Sequence, residues 1–140
     1  MARGGRAELK IDLREFDKSL EVLLHHVERG TKRATKAAAK EIFENSQKQV
    51  PKQSATLARS GYYEIRGYRR DFEAVIGYGG NGNPINPATG ERASEYMVAV
   101  HEDLEAKHPN GKAKYLEDPV REYQQKFLTR AASIIRKEMR

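Results

Sequence analysis

Apolar positions along this chain recur at two different periods, and the switches between them divide it into elements. Glu8-Leu9-Lys10-Ile11 alternates polar and apolar, which predicts a short strand. Asp12 then reads as a helix N-cap, with Glu15 three residues later in the manner of a capping box. Phe16, Leu20, Leu23, Leu24 and Val27 follow on one helical stripe as far as Gly30, where the helix is expected to be interrupted or to end. A second helix is predicted from Thr31 to Gln49. Ala34, Ala37, Ala38, Ile42 and Phe43 form its apolar face, and Lys32, Arg33, Lys36, Lys40 and Lys48 the opposite one. Pro51 stops it, because proline cannot continue the hydrogen-bond ladder.

From Ser60 to Tyr78 the period falls to two. Tyr63 and Ile65, then Phe72, Ala74 and Ile76, alternate with polar neighbours across Gly67-Tyr68-Arg69-Arg70-Asp71, predicting a β-hairpin. Gly79 to Arg92 is rich in glycine, proline and asparagine and reads as a long exposed loop. Glu95 to Glu102 fits a strand or a short helix, with Tyr96, Val98 and Val100 favouring the strand. Asn110-Gly111 marks a turn. In the last segment Asp118 is the expected cap and Pro119 the first helical residue. Val120, Tyr123, Phe127, Ala131, Ile134 and Ile135 then trace one face of a single amphipathic helix. Acidic residues near its start and basic ones near its end complement the helix dipole. The expected fold is therefore α+β: N-terminal helices, a small antiparallel sheet with a β-hairpin and long loop, and a C-terminal amphipathic helix. Residues 1–7 read as a flexible basic arm and residues 8–140 as one domain.

Composition narrows the chemistry. The 140 residues are 38% hydrophobic and 33% charged, with a mean hydropathy of −0.83. A chain of this size buries about two-thirds of its unfolded surface, enough for a modest core. There are no cysteines, which excludes disulfides, thiolate catalysis and cysteine-ligated zinc or iron–sulfur sites. No run approaches the roughly 20 apolar residues of a membrane span, so no membrane association is expected. The opening Met1-Ala2-Arg3-Gly4-Gly5-Arg6 lacks the apolar centre of a secretory signal. The net charge of +6 is unevenly placed: residues 1–70 carry 16 Lys and Arg against 9 Asp and Glu, and residues 71–140 carry 10 against 11. A basic first half suits a solvated helix face, nucleic acid or an acidic protein surface.

No catalytic or cofactor constellation emerges, and neither an enzyme nor a cofactor is expected. Gly77-Tyr78-Gly79-Gly80-Asn81-Gly82 spells G-x-G-x-x-G after a predicted strand, but Pro84 and Pro87 follow where a dinucleotide site needs a helix to begin. His101-Glu102-Asp103-Leu104-Glu105 begins like H-E-x-x-H yet ends in glutamate, so the paired imidazoles of a zinc helix are missing. His25 and His26 are adjacent on a helix and point apart. Ser54 and Ser60 lie in no strand–turn–helix elbow. Tyr62, Tyr63, Arg66, Tyr68, Arg69 and Arg70 interleave aromatic and basic residues on the hairpin, as a single-strand nucleic-acid face would. Arg66, Arg69 and Arg70 are the candidate DNA-facing residues, and a nucleic-acid-binding module is the alternative reading of the chain.

Two stretches resemble one known family. Val50-Pro51-Lys52-Gln53-Ser54-Ala55-Thr56-Leu57-Ala58-Arg59-Ser60 is similar to the V-P-x-D-T-G-x-L-x-x-S segment of head–tail joining and tail-completion proteins of tailed bacteriophages, some of them labelled minor capsid proteins. Tyr96-Met97-Val98-Ala99-Val100-His101-Glu102, followed by His108-Pro109-Asn110-Gly111-Lys112-Ala113-Lys114-Tyr115-Leu116-Glu117-Asp118-Pro119, resembles that family's Y-A-x-Y-V-H-E…H-x-x-G-x-A-K-F-L-E-x-P. The likeness covers roughly residues 10 to 138. Ser54 and Ala55 stand where the family has Thr-Gly, which puts the tight turn there in question, and Tyr115 stands for Phe.

The resemblance implies a structural virion protein forming a ring at the head–tail interface, as a tail-completion or neck connector. The ring is expected to be a hexamer, with a dodecamer as the alternative, contacting neighbouring neck and tail-tube proteins and, transiently, genomic DNA. Pro51, Leu57, Ser60, Tyr96, His101, Glu102, Gly111, Tyr115, Leu116 and Pro119 are implied to be structural, with Tyr115 and Leu116 anchoring the start of the last helix in the core. The basic arm (Arg3, Arg6) and the long loop (Tyr78, Asn81, Asn83, Asn86, Arg92) are the implied contacts with other subunits or rings. Assembly in the host cytoplasm and residence in the virion follow from the same likeness.

Overall fold

The computed structural model describes residues 5–52, 55–80, 82–105 and 111–140. Its element order is α1 (Arg14–Gln49), α2 (Thr56–Arg59), β1 (Tyr62–Tyr68), β2 (Asp71–Gly77), α3 (Ala93–Glu102), α4 (Glu117–Gln124) and α5 (Phe127–Glu138). This is a small α+β fold organised around one long helix: α1 touches α4, α5 and both strands.

The two helices expected before Pro51 are one continuous helix of 36 residues. Gly30 does not break it. A Cβ at Gly30 would lie 2.8 Å from the Ile135 Cα, so the missing side chain lets α5 approach α1 backbone to backbone. Close packing here outweighs the roughly 1 kcal/mol that a helix-interior glycine costs relative to alanine. Ala34, Ala38, Ala39, Ile42 and Ser46 continue the buried face. The N-cap is Leu13 and makes no side-chain cap bond, so the capping box expected from Asp12 and Glu15 is not formed; Asp12 lies one residue earlier, where its carboxylate accepts the Arg14 N–H at 3.0 Å. The strand expected at 8–11 is not formed; Leu9 is 86% exposed, with no paired strand to hold it extended.

The expected hairpin forms, with Tyr63, Ile65, Phe72 and Ile76 turned inward as the alternation predicts, but Ala74 is exposed and Val75 half-buried. β1 and β2 pair antiparallel from Tyr62↔Gly77 to Tyr68↔Asp71, and the Phe43 ring on α1 packs 5.2 Å from that of Tyr63. The segment favoured as a third strand is instead α3. Ala93, Tyr96, Met97 and Val100, at i, i+3, i+4 and i+7, all face one core cluster, whereas Val98 points to solvent. That helical spacing was present in the sequence beneath the period-two run.

The single C-terminal helix is in fact two. Helix α4 begins at Glu117, so Asp118 and Pro119 lie within its first turn rather than at the cap and first helical position. The chain turns at Gln125–Lys126, where the Lys126 N–H bonds the Tyr123 carbonyl at 3.0 Å in a tightened last turn. The turn lets Tyr123 and Val120 pack on Ala38 and Ile42 while α5 runs back along α1. Lys126 and Arg130 pair with Glu41 at one end of that seam, and Arg29 and Arg33 with Glu138 at the other. No helix among the described residues is long and apolar enough to cross a membrane.

Candidate functional site

Three separated stretches of sequence meet at the C-terminal end of α1. Val50, which ends that helix, joins Leu57, Tyr78, Ala93 and Tyr115 in one buried cluster, with Tyr96, Met97, Val100 and Leu116 against its edge. Tyr115 is the largest fully buried side chain, at 2% exposure. Its ring meets Tyr78 and His101 edge-on, each at 5.0 Å, and its hydroxyl donates to the Met97 carbonyl at 3.0 Å. Burial, with Tyr78 and Tyr96 nearby, pushes its phenol far above the ordinary tyrosine range. Tyr78 and Ser46 share a hydroxyl–hydroxyl bond of 2.7 Å, and burial raises the Tyr78 phenol too.

The first motif stretch forms the floor. Ser60, fully buried, donates to the Leu57 carbonyl at 2.6 Å and accepts the Gly79 N–H at 2.9 Å, tying α2 to the exit of the hairpin. At the entry to α2 alanine stands where the resembling family has glycine. Ala55 takes a left-handed conformation at φ +58°, and its N–H bonds the Lys52 carbonyl at 3.1 Å. A left-handed L-residue costs about 1–2 kcal/mol, partly offset by the greater freedom that glycine has in the unfolded chain. Ala55→Gly is therefore expected to stabilise the fold by about 0.5–1 kcal/mol. Urea unfolding checks this, and a lower midpoint would contradict the left-handed strain at Ala55.

The second motif stretch closes over the floor. Gly111 lies against the end of α1, where the Lys112 N–H caps the Gln49 carbonyl at 2.8 Å. The Lys114 N–H bonds the His101 carbonyl at 2.7 Å. The His101 ring bridges outward: its Nε2 accepts the Glu117 N–H at 3.3 Å, and its Nδ1 lies 2.7 Å from the Glu102 carboxylate. This pairing assigns the ring proton to Nδ1. The Lys114 ammonium sits between Glu102 and Glu117, 3.1 Å from the latter. Pro119 is fully buried in the first turn of α4.

The charges at this junction favour one another's ionised forms. Its hydrogen bond to Lys114, then that to His101, holds the Glu102 carboxyl below its ordinary range; Lys114 does the same to Glu117, and both carboxylates raise Lys114. A depressed carboxyl contributes stability above its unfolded-state value and loses it as pH falls through the folded one. The raised ammonium contributes below its unfolded-state value and loses that at alkaline pH. Stability from this cluster is therefore complete between about pH 5 and 10 and declines on the acid side. Glu102→Gln with Glu117→Gln is expected to flatten the acid limb of melting temperature against pH, more in low salt than in high. An unchanged limb would contradict the pairing.

The remaining candidates are placed as follows. Tyr78, expected at a subunit contact, is only 6% exposed and belongs to the core, because its ring completes the Tyr115 cluster. Asn83 Oδ1 accepts the Ser94 N–H at 3.0 Å and so caps α3, while Arg92 donates to the Asn83 carbonyl at 3.3 Å. Asn86 bonds the Ala88 N–H at 2.9 Å within the loop. Arg6 is exposed, 3.3 Å from Glu8. Arg3, Asn81 and Ser54 lie outside the described residues, as do His108, Pro109 and Asn110. On the hairpin, Arg66 pairs with Glu64, Arg70 reaches Glu28 at 3.8 Å, and Arg69 lies over the Tyr68 ring at 5.8 Å in the turn. Glu64, Asp71 and Glu73 balance the three arginines, so the hairpin carries no net charge. Among the described residues no helix begins between Gly77 and Ala93, so the glycine run has no helix N-terminus there to offer a pyrophosphate.

Ser46 is not singled out in the sequence, and Lys114 and Glu117 stand there in the motif without being paired. Ser46 extends the Ala38–Ile42 row by one turn, and Lys114–Glu117 is an i, i+3 opposite-charge pair, so both signals were weak but present. Beside Tyr115 a cleft of about 320 Å³ opens between β1, the end of β2 and α3, lined by Tyr62, Tyr78, Met97, His101 and Leu116. Its aromatic and aliphatic walls suit an apolar side chain. Among the described residues no group of three His, Asp or Glu side chains is gathered to hold a metal ion. The chain matches no protein-family model, no curated protein and no solved structure.

Proposed function

We propose that this chain is a structural, non-catalytic protein of a tailed-bacteriophage virion, a ring subunit at the head–tail interface that joins head to tail and leaves a passage for DNA. The observation that carries the reading is the convergence of the resembling stretches. Leu57 and Ser60 from the first, and Tyr96, His101, Tyr115 and Leu116 from the second, come from distant parts of the chain and pack into one junction. Shared residues that define a core argue for a shared fold, and the functional step beyond it rests on the resemblance. The partners on this reading are further copies of the chain, sixfold or twelvefold, and the neck and tail-tube proteins above and below. Its place of assembly is the host cytoplasm and its final location the virion.

The nucleic-acid alternative is the weaker reading, because Glu64, Asp71 and Glu73 offset the hairpin arginines in charge and Arg66 and Arg70 lie beside carboxylates. A phage lacking this gene is expected to yield filled heads and separate tails that join when the purified protein is added to the lysate. Normal, infectious particles from the deletion would overturn the reading. Charge reversal at Arg66, Arg69 and Arg70 is expected to leave joining intact.

A further inference from the structure

One apolar stripe runs the length of α1, and the rest of the chain covers only part of it. Gly30, Ala34, Ala38 and Ile42 are buried. Towards the N-terminus the same stripe continues through Val27, Leu24, Leu23, Leu20 and Phe16, past the point where α5 ends beside Arg29 and Arg33. Every residue from Arg14 to His25 is exposed; Phe16 is 61% and Leu20 and Leu23 each 41% accessible. Three helical turns thus present a row of large apolar side chains to solvent. Contiguous surface of this kind marks an interaction site, and an isolated helix of this length gains little stability in water without packing.

The charges beside the stripe select what covers it. Residues 14–28 carry four carboxylates against two cations. Asp17 and Glu21, one turn apart, border the stripe and form no ion pair among the described residues. Two such arms laid together would set carboxylate against carboxylate, which disfavours pairing of arm with arm. Farther along the same helix, residues 29–48 carry six cations against two carboxylates. Lys32, Lys36 and Lys40 form an exposed row, each one turn from the next, and they too make no ion pair among the described residues. Lysine stems can cover apolar surface while their ammonium groups stay solvated.

We propose that a second copy of this chain covers the stripe head to tail, with the Asp17–Glu21 edge of one arm set against the Lys32–Lys36–Lys40 row of the next copy. Such a contact joins two different surfaces and can therefore propagate around a ring. The inference deepens the ring-subunit reading and rests on it for closure.

Native mass spectrometry and light scattering of the full chain over a concentration series test it. The native sequence is expected to form a discrete oligomer. Leu20→Glu with Leu23→Glu is expected to give monomer at every concentration, with the circular-dichroism spectrum of a folded chain and a melting temperature that no longer rises with protein concentration, because both side chains face solvent in the single chain. Val22→Glu, on the other side of the same turn, is expected to leave the oligomer intact. Asp17→Lys with Glu21→Lys should abolish association, and mixing that variant with a Lys32→Glu, Lys36→Glu, Lys40→Glu chain should restore it. A native chain that stays monomeric overturns the inference. So does an oligomer that survives Leu20→Glu with Leu23→Glu, although that result leaves the ring reading standing. Lysine-row substitutions that spare association but abolish binding to duplex DNA would assign the row to phosphates instead and also overturn it.

Discussion

Tyr115→Ala is expected to cost about 3–5 kcal/mol of folding stability, the range for deleting a large buried aromatic side chain. The ring is the one on which the motif stretches converge. It touches Tyr78 from the hairpin exit and His101 from α3, and its hydroxyl serves the Met97 carbonyl. Removing it leaves a cavity bounded by Val50, Leu57 and Ala93, whose own positions are fixed by the ends of α1, α2 and α3. Such a site cannot collapse easily, so the upper part of the range is expected. Tyr115→Phe separates the two contributions. It keeps the packing and loses one hydrogen bond, at about 1 kcal/mol, and phenylalanine is the residue the resembling family carries there. Urea unfolding of both variants measures the difference; equal costs would mean that the hydroxyl, not the ring, matters.

The second large effect is expected at Gly111. Its φ is +116°, and a Cβ there would lie 2.6 Å from the Gln49 carbonyl oxygen and 2.7 Å from the Pro51 nitrogen. Those are backbone atoms at the end of α1 and cannot rotate away as a side-chain tip would. Gly111→Ala combines a left-handed strain of about 1–3 kcal/mol with a backbone displacement of similar cost. The displacement also pulls the Lys112 N–H from the Gln49 carbonyl that it caps at 2.8 Å. A loss of about 2–5 kcal/mol is expected, with lowered amide-exchange protection concentrated at Val50 and at Lys114–Asp118. A loss below about 0.5 kcal/mol would show that the segment does not dock on α1 as described.

The elements most legible in the sequence were those whose signals are local. The hairpin between Tyr62 and Gly77 and the stop at Pro51 depend on nothing beyond their neighbours, and both hold. The misreadings came where tertiary contact outweighed a local signal. Gly30 reads as a breaker until Ile135 is seen to need its space. Tyr96, Val98 and Val100 read as a strand until Tyr115 supplies a partner for the Ala93, Tyr96, Met97 and Val100 face. The turn at Gln125–Lys126 carries neither glycine nor proline and has no sequence signature; it exists because Tyr123 and Ile135 pack on different stretches of α1. Leu9 and Ile11 alternate as a strand would, but no strand pairs with them.

The junction was half legible. Its residues were recognisable as motif positions, but nothing in their spacing said that residues 50–60, 96–102 and 111–119 would share one core. The loop asparagines carry an internal role that their spacing did not announce. A polar residue in a long loop reads as a contact, whereas Asn83 is used within the chain to cap α3. The long exposed stripe on α1 is the converse case: its apolar period predicted a buried face, and the chain buries only part of it.

The central claim, that this is a ring subunit of a tailed-phage neck, is tested most directly by electron microscopy of purified particles labelled with gold-conjugated antibody against the protein. Gold confined to the head–tail junction or the upper end of the tail is the expected result. Unlabelled particles, with the protein recovered only from the soluble lysate, would contradict it.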